Sequence, residues 1–187
     1  KNLHNFYKPL DDFVDRNVEL CQIIQLLSDN KNINLYGENG IGKSYLVKEL
    51  LAILNKSDNL KGKYAKIPTI KNCFAFYFDG KSRKTYISQL EEAINNSLMG
   101  SKISGISEVH NLFKRTKLQQ FVFIFVEIKQ SASDIEKIEE FSHHFKNEIY
   151  SFIIVSESSV ISSSILSFDF SLSGKTFTDL EIKEMIP

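Results

Sequence analysis

The chain has no tryptophan, two cysteines, three prolines and only three arginines, Arg16, Arg83 and Arg115, among its 23 basic residues. Cys21 and Cys73 stand apart among apolar neighbours, without C-x-x-C spacing or adjacent histidines. That argues against a disulfide framework or a zinc site and reads both as small buried hydrophobes. With 23 acidic residues against 23 basic ones, no net charge draws the chain to nucleic acid or an anionic membrane, so only a local patch could do so. No apolar run approaches the roughly 20 residues that span a bilayer. No basic-then-apolar leader opens the sequence, and a cytoplasmic protein without membrane contact is expected. Scarce arginine means scarce bidentate forks for phosphate. What is present, 187 residues with 42% hydrophobic and 25% charged, suffices for one domain with a full core. The sequence opens on Lys1 and stops at Pro187 just after a helix begins, which reads as a fragment with more protein beyond it.

The eight residues Gly37-Glu38-Asn39-Gly40-Ile41-Gly42-Lys43-Ser44 fit the phosphate-binding pattern G-x-x-x-x-G-K-[ST]. Ahead of them Ile33-Asn34-Leu35-Tyr36 is short and largely β-favouring. Behind them Leu46, Val47, Leu50, Leu51 and Leu54 recur at helical spacing. In a strand, loop and helix of this kind, the loop amides and the helix N-terminus converge on one point and favour an anion there. Gly40 and Gly42 permit close approach, and Lys43 reaches the β- and γ-phosphates. The Ser44 hydroxyl completes a Mg²⁺ shell. Gly37, Glu38, Asn39, Ile41 and Tyr45 complete the expected nucleotide contacts.

Along the rest of the chain, Asp12 to Asn30 carries an apolar stripe expected to form a helix, and Lys56 to Lys71 reads as a lysine-rich loop. Cys73 to Phe78, Phe121 to Val126 and Phe152 to Val155 are continuous apolar runs of the kind buried on both faces, with a shorter strand at Phe168 to Leu172. Helical periods intervene at Ile87 to Leu98, at Val109 to Phe113 and from about Ser133. Alternation at this rhythm predicts an α/β fold with a parallel sheet covered on both faces. Thr178-Asp179-Leu180-Glu181 has capping-box spacing and predicts one more helix start.

A phosphate-binding loop needs acids at the end of a second buried strand, one to hold Mg²⁺ and one to polarise water. Phe121 to Val126 is followed by Glu127, then Ile128, Lys129 and Gln130, so the acidic pair shrinks to one carboxylate. Glu127 is the candidate catalytic base and, in the other register, the candidate metal ligand beside Ser44. Asp79, ending the preceding strand, is its rival. Losing one such group removes a factor of about 10²- to 10⁴-fold, so hydrolysis is expected to be slow or absent. Ser156 stands where a polar group could meet the γ-phosphate or simply cap its strand, and Glu157 follows it.

With Phe13-Val14-Asp15-Arg16-Asn17-Val18-Glu19-Leu20 about twenty residues ahead of Gly37, these motifs resemble STAND-type signalling NTPases and related AAA+ ATPases, with Asp15 where glycine is usual. The resemblance implies a three-layer αβα P-loop NTPase fold with a five-stranded parallel sheet in the order 5-1-4-3-2. It divides the chain into an N-terminal helix with its leading motif over 1–31, the core over 32–176 and the start of a truncated lid helix over 177–187. It places Arg16 beside the nucleotide and Val14 in the adenine pocket, and it implies ATP and Mg²⁺ as cofactors. Ser158 and Glu157 replace the arginine that would contact the terminal phosphate, and Lys146 would substitute poorly as a finger for a neighbouring subunit. An ATP-binding switch for signalling or antiviral defence is the expected function, with protein partners or a homo-oligomer engaged through regions beyond this segment. An AAA+ loader acting on nucleic acid is the first alternative, supported by Lys56, Lys61, Lys63, Lys66, Lys71, Lys81, Arg83 and Lys84 but not favoured. A structural subunit that only binds nucleotide is the second.

Overall fold

The computed structural model describes residues 16–55, 67–97, 102–116, 120–129, 131–146, 148–158 and 168–171. Its elements run α1 (Asn17–Ser28), β1 (Ile33–Tyr36), α2 (Lys43–Asn55), β2 (Cys73–Asp79), α3 (Tyr86–Ser97), α4 (Ile106–Arg115), β3 (Gln120–Val126), α5 (Ala132–His143), β4 (Tyr150–Ser156) and β5 (Phe168–Ser171). The strand, loop and helix expected around Gly37 to Ser44 are β1 and α2. The leading residues 1–15, the loop at 56–66 and the lid helix at 177–187 lie outside the described residues.

All strand pairs are parallel, and the body of the sheet is four strands in the order β1-β4-β3-β2. A fifth strand, four residues long like β1 itself, pairs with the other side of β1, Ile33 opposite Phe168 and Tyr36 opposite Ser171, so the described strands run β5-β1-β4-β3-β2. Parallel pairing puts the C-terminal ends of β1, β3 and β4 on one edge, where ligands of open α/β sheets sit.

Period-two alternation divides the core. From β3, Val122, Ile124 and Val126 face α1 and α2, joined by Ile33, Leu35, Leu50 and Val155. Phe121, Phe123 and Phe125 face α3, α4 and α5, where Phe78, Phe141, Phe145 and Phe152 meet them. Among the described residues the buried phenylalanines therefore lie on one face, with Phe78 and Phe125 stacked at 4.9 Å and Phe123 edge-on to Phe141 at 5.2 Å. The other face is aliphatic, so the helix carrying the phosphate-binding loop packs through branched side chains. Ser131 caps α5 by accepting from the Asp134 amide.

Candidate nucleotide-binding site

The site begins with two glycines in the left-handed region, Gly40 at φ 84° and Gly42 at φ 90°. A Cβ at Gly40 would meet nothing within 4 Å, so backbone conformation and not space selects glycine there. The first bond of α2 runs from the Leu46 amide to the Gly42 carbonyl at 3.0 Å, which turns the opening amides of the helix toward the loop. Lys43 folds over that loop, its Nζ donating to the Gly37 carbonyl and, at 2.7 Å, to the Glu38 carbonyl. Burial lowers the Lys43 pKa, while Glu157 and Glu127 pull the other way. Ser44 and Tyr45 are exposed at the helix start, and the Tyr45 ring carries Lys48 Nζ 5.6 Å from its centre.

Arg16, ahead of α1, is 7% exposed and donates from Nη2 to the Ile41 carbonyl at 2.7 Å, while Nη1 pairs with Glu19 at 3.3 Å. The resemblance placed it beside the nucleotide. In the fold it ties the start of α1 to the crest of the loop and so acts on the loop's shape.

A cavity of about 500 Å³ opens at the C-terminal edge of the sheet. It gathers Asn39, Gly40, Gly42, Lys43, Ser44 and Tyr45 from the loop side with Val126, Glu127 and Ser156 from the strand ends. Glu127, just past β3, has φ 57° and 46% side-chain exposure, and its Oε2 lies 2.5 Å from Lys81 Nζ. Asp79 is not among the residues lining this cavity. It stands opposite Val126 in the sheet, and its Oδ1 accepts from the Lys81 amide at 2.9 Å, which turns the carboxylate into its own loop. The rival acid is thus held in the turn after β2, outside the residues that line the cavity.

Ser156, 3% exposed, accepts from Asn34 Nδ2 at 2.8 Å and donates to the Ser158 carbonyl at 2.7 Å. Its one proton is committed, which favours strand-end capping over phosphate contact. Glu157 accepts from Asn39 Nδ2 at 2.7 Å and so clasps the loop to the end of β4. Sequence reasoning missed Asn34, Asn39 as a clasp, Gly80 and the position of Lys81. Asn34 alone carried a signal, a carboxamide in an otherwise buried strand.

These groups suit a nucleoside polyphosphate: a loop of left-handed glycines, a lysine over it and a helix N-terminus. For Mg²⁺ the lining offers the Ser44 hydroxyl and the Glu127 carboxylate, and that carboxylate is paired here with Lys81.

No protein-family model matches the sequence, and no curated protein matches it. Among solved structures, the chain resembles one in the structure of Drosophila ORC bound to DNA, at TM-score 0.50 and 10% identity over 87% of this chain and 92% of that one. A weaker likeness, TM-score 0.44 and 11% identity, links 92% of this chain to 47% of C. elegans PCH-2. Fold and loop together give a P-loop NTPase-like α/β domain. No helix of the described residues is long and apolar enough to cross a membrane.

Proposed function

We propose that the chain is the ATP-binding core of a nucleotide-dependent switch, of the kind found in STAND-like signalling or defence NTPases, with weak or absent hydrolysis. One observation carries this reading: the phosphate-binding loop has its glycines, Lys43 and helix N-terminus in order, while the acidic pair opposite is a single ion-paired Glu127. Binding is supported by many groups and turnover by few. A switch needs a nucleotide to favour one arrangement of the protein over another, and slow hydrolysis lengthens the favoured state.

The test is a thermal-shift titration with ATP, ATP·Mg²⁺ and ADP. A ligand at 100 times its Kd adds about 2.7 kcal/mol, and a domain of this size gains about 2–4 °C per kcal/mol. A rise of several degrees is expected, absent in Lys43→Ala. No shift with any nucleotide in a folded sample would refute the reading. Phosphate release by the wild type should be near background, and any excess over Glu127→Gln marks a slow enzyme and not a dead one.

A second reading, a subunit of a nucleic-acid loading assembly, draws on the likeness to a chain of ORC bound to DNA. It predicts binding of duplex DNA that weakens steeply with salt, measured by fluorescence anisotropy.

A further inference from the structure

We propose that Lys81 is a phosphate-binding residue, an internal cation that stands in for Mg²⁺ beside Glu127 and lets the cavity hold a nucleoside triphosphate without a divalent ion. The proposal rests on the nucleotide-binding reading of the Gly37 to Ser44 loop.

Lys81 comes from the turn after β2, yet it lines the same cavity as Lys43, Ser44 and Glu127. Its backbone is held firmly. The Gly80 amide donates to the Val126 carbonyl at 2.9 Å, locking the ends of β2 and β3 together, and Asp79 Oδ1 holds the Lys81 amide. Only glycine fits at 80, because a Cβ there would lie 2.9 Å from the carbonyl oxygens of both Val126 and Glu127. A fixed turn thus delivers a long side chain to the spot where the strand-end acid would otherwise meet a metal.

The side chain itself is free to exchange partners. Lys81 is 64% exposed and Glu127 46% exposed, and an ion pair so open to water is weakly held. A triphosphate oxygen offers the ammonium a stronger, multiply charged acceptor. Glu127 acts electrostatically on both Lys43 and Lys81, as does Glu157, so the two ammoniums face one small charged space. Lys43, Lys81 and Lys129 against Glu127 and Glu157 leave the lining one positive charge in excess. Lysine supplies charge without the octahedral shell that Mg²⁺ requires. It can therefore neutralise phosphate without organising an attacking water, which suits a clamp.

The experiment measures ATP affinity by titration calorimetry in EDTA and in excess Mg²⁺, for wild type, Lys81→Met, Lys81→Arg and Lys43→Ala, each confirmed folded by circular dichroism. Wild-type affinities in the two buffers should agree within about threefold, because no step requires the metal. Lys81→Met should bind about tenfold more weakly in EDTA, the loss of one charge-assisted contact, with Mg²⁺ restoring most of it, and Lys81→Arg should stay near wild type. Wild-type binding that needs Mg²⁺, or Lys81→Met equal to wild type in EDTA, overturns the proposal while leaving the nucleotide reading intact. Absence of wild-type binding in both buffers, or full binding by Lys43→Ala, refutes the nucleotide reading itself and the proposal with it.

Discussion

A carboxamide fully buried in the middle of a central strand must find partners, and Asn34 finds them on β4, donating to the Ile154 carbonyl at 3.1 Å and to Ser156 Oγ at 2.8 Å. It links the strand before the phosphate-binding loop to the strand that ends at Ser156, so both edges of the cavity share one polar tie. Asn34→Ala would strand buried acceptors, and a loss of about 1–3 kcal/mol in urea unfolding is expected. Gly80 is constrained differently. Its added methyl would press on backbone oxygens on one side and on Ile128 Cδ1 at 2.8 Å on the other. Gly80→Ala should therefore cost about 1–3 kcal/mol, the usual range for overpacking, and should also shift Lys81 and Glu127. The observable is a lowered melting temperature together with a weaker response to ATP in EDTA. Asn34 carried a hint in its type, a carboxamide in a buried strand, whereas Gly80 carried none. A glycine after a strand reads as a turn, and its second function appears only when β3 lies beside it.

At the scale of elements, β2 is an edge strand of aromatic residues, a natural template for unwanted pairing. Side chains plug it at two points. Asn55 Oδ1 accepts from the Ala75 amide at 2.7 Å and Nδ2 donates to its carbonyl at 3.1 Å, and Gln89 does the same for Asp79 at 2.9 and 3.1 Å. Asn55→Ala combined with Gln89→Ala should raise self-association, read as concentration-dependent light scattering at unchanged ionic strength. The strands and the helices between them were legible in sequence because runs such as Phe121 to Val126 admit few other structures, and α2 followed from its apolar spacing. The loop was legible because its glycines and lysine are dictated by backbone geometry. Long-range ties were not: the partners of Asn55 and Gln89, the clasp of Asn39 on Glu157 and the neighbour of Glu127 depend on which strand ends meet. Arg16 shows the limit well. The resemblance placed it by the nucleotide, and the fold adds a tie the sequence could not show, from its guanidinium to the Ile41 carbonyl of the phosphate-binding loop. Arg16→Ala should loosen the loop and weaken ATP binding, and Arg16→Lys should not restore it, since a single ammonium cannot hold both Ile41 and Glu19 in the same planar geometry.

For the molecule as a whole, the separation of an aliphatic face from an aromatic face has a consequence at alkaline pH. Cys73 lies in the aliphatic layer, and burial pushes its thiol from an ordinary 9.0 up to about 12. Tyr86, packed edge-on against Phe125 at 4.8 Å in the aromatic layer, is likewise held up to about 12 by burial, with Asp134 and Asp79 adding to the effect. A raised folded pKa means that the unfolded chain loses its proton first. The stabilisation is complete below the ordinary value and disappears as pH rises toward 12. Between pH 9 and 10 the thiol should dominate, because tyrosine in the unfolded chain ionises only from about pH 10. Unfolding free energy should fall there by about 1 kcal/mol more in wild type than in Cys73→Ala. From pH 10 upward Tyr86 joins, and Tyr86→Phe should flatten the remaining slope, while the lowered pKa of Lys43 works weakly in the opposite sense. The measurement is urea unfolding at closely spaced pH values for wild type and the two variants. If Cys73→Ala follows the wild-type curve from pH 9 to 10, the thiol is not held neutral by the aliphatic layer, and the sealing of that layer by α1 and α2 would have to be less complete than its packing implies.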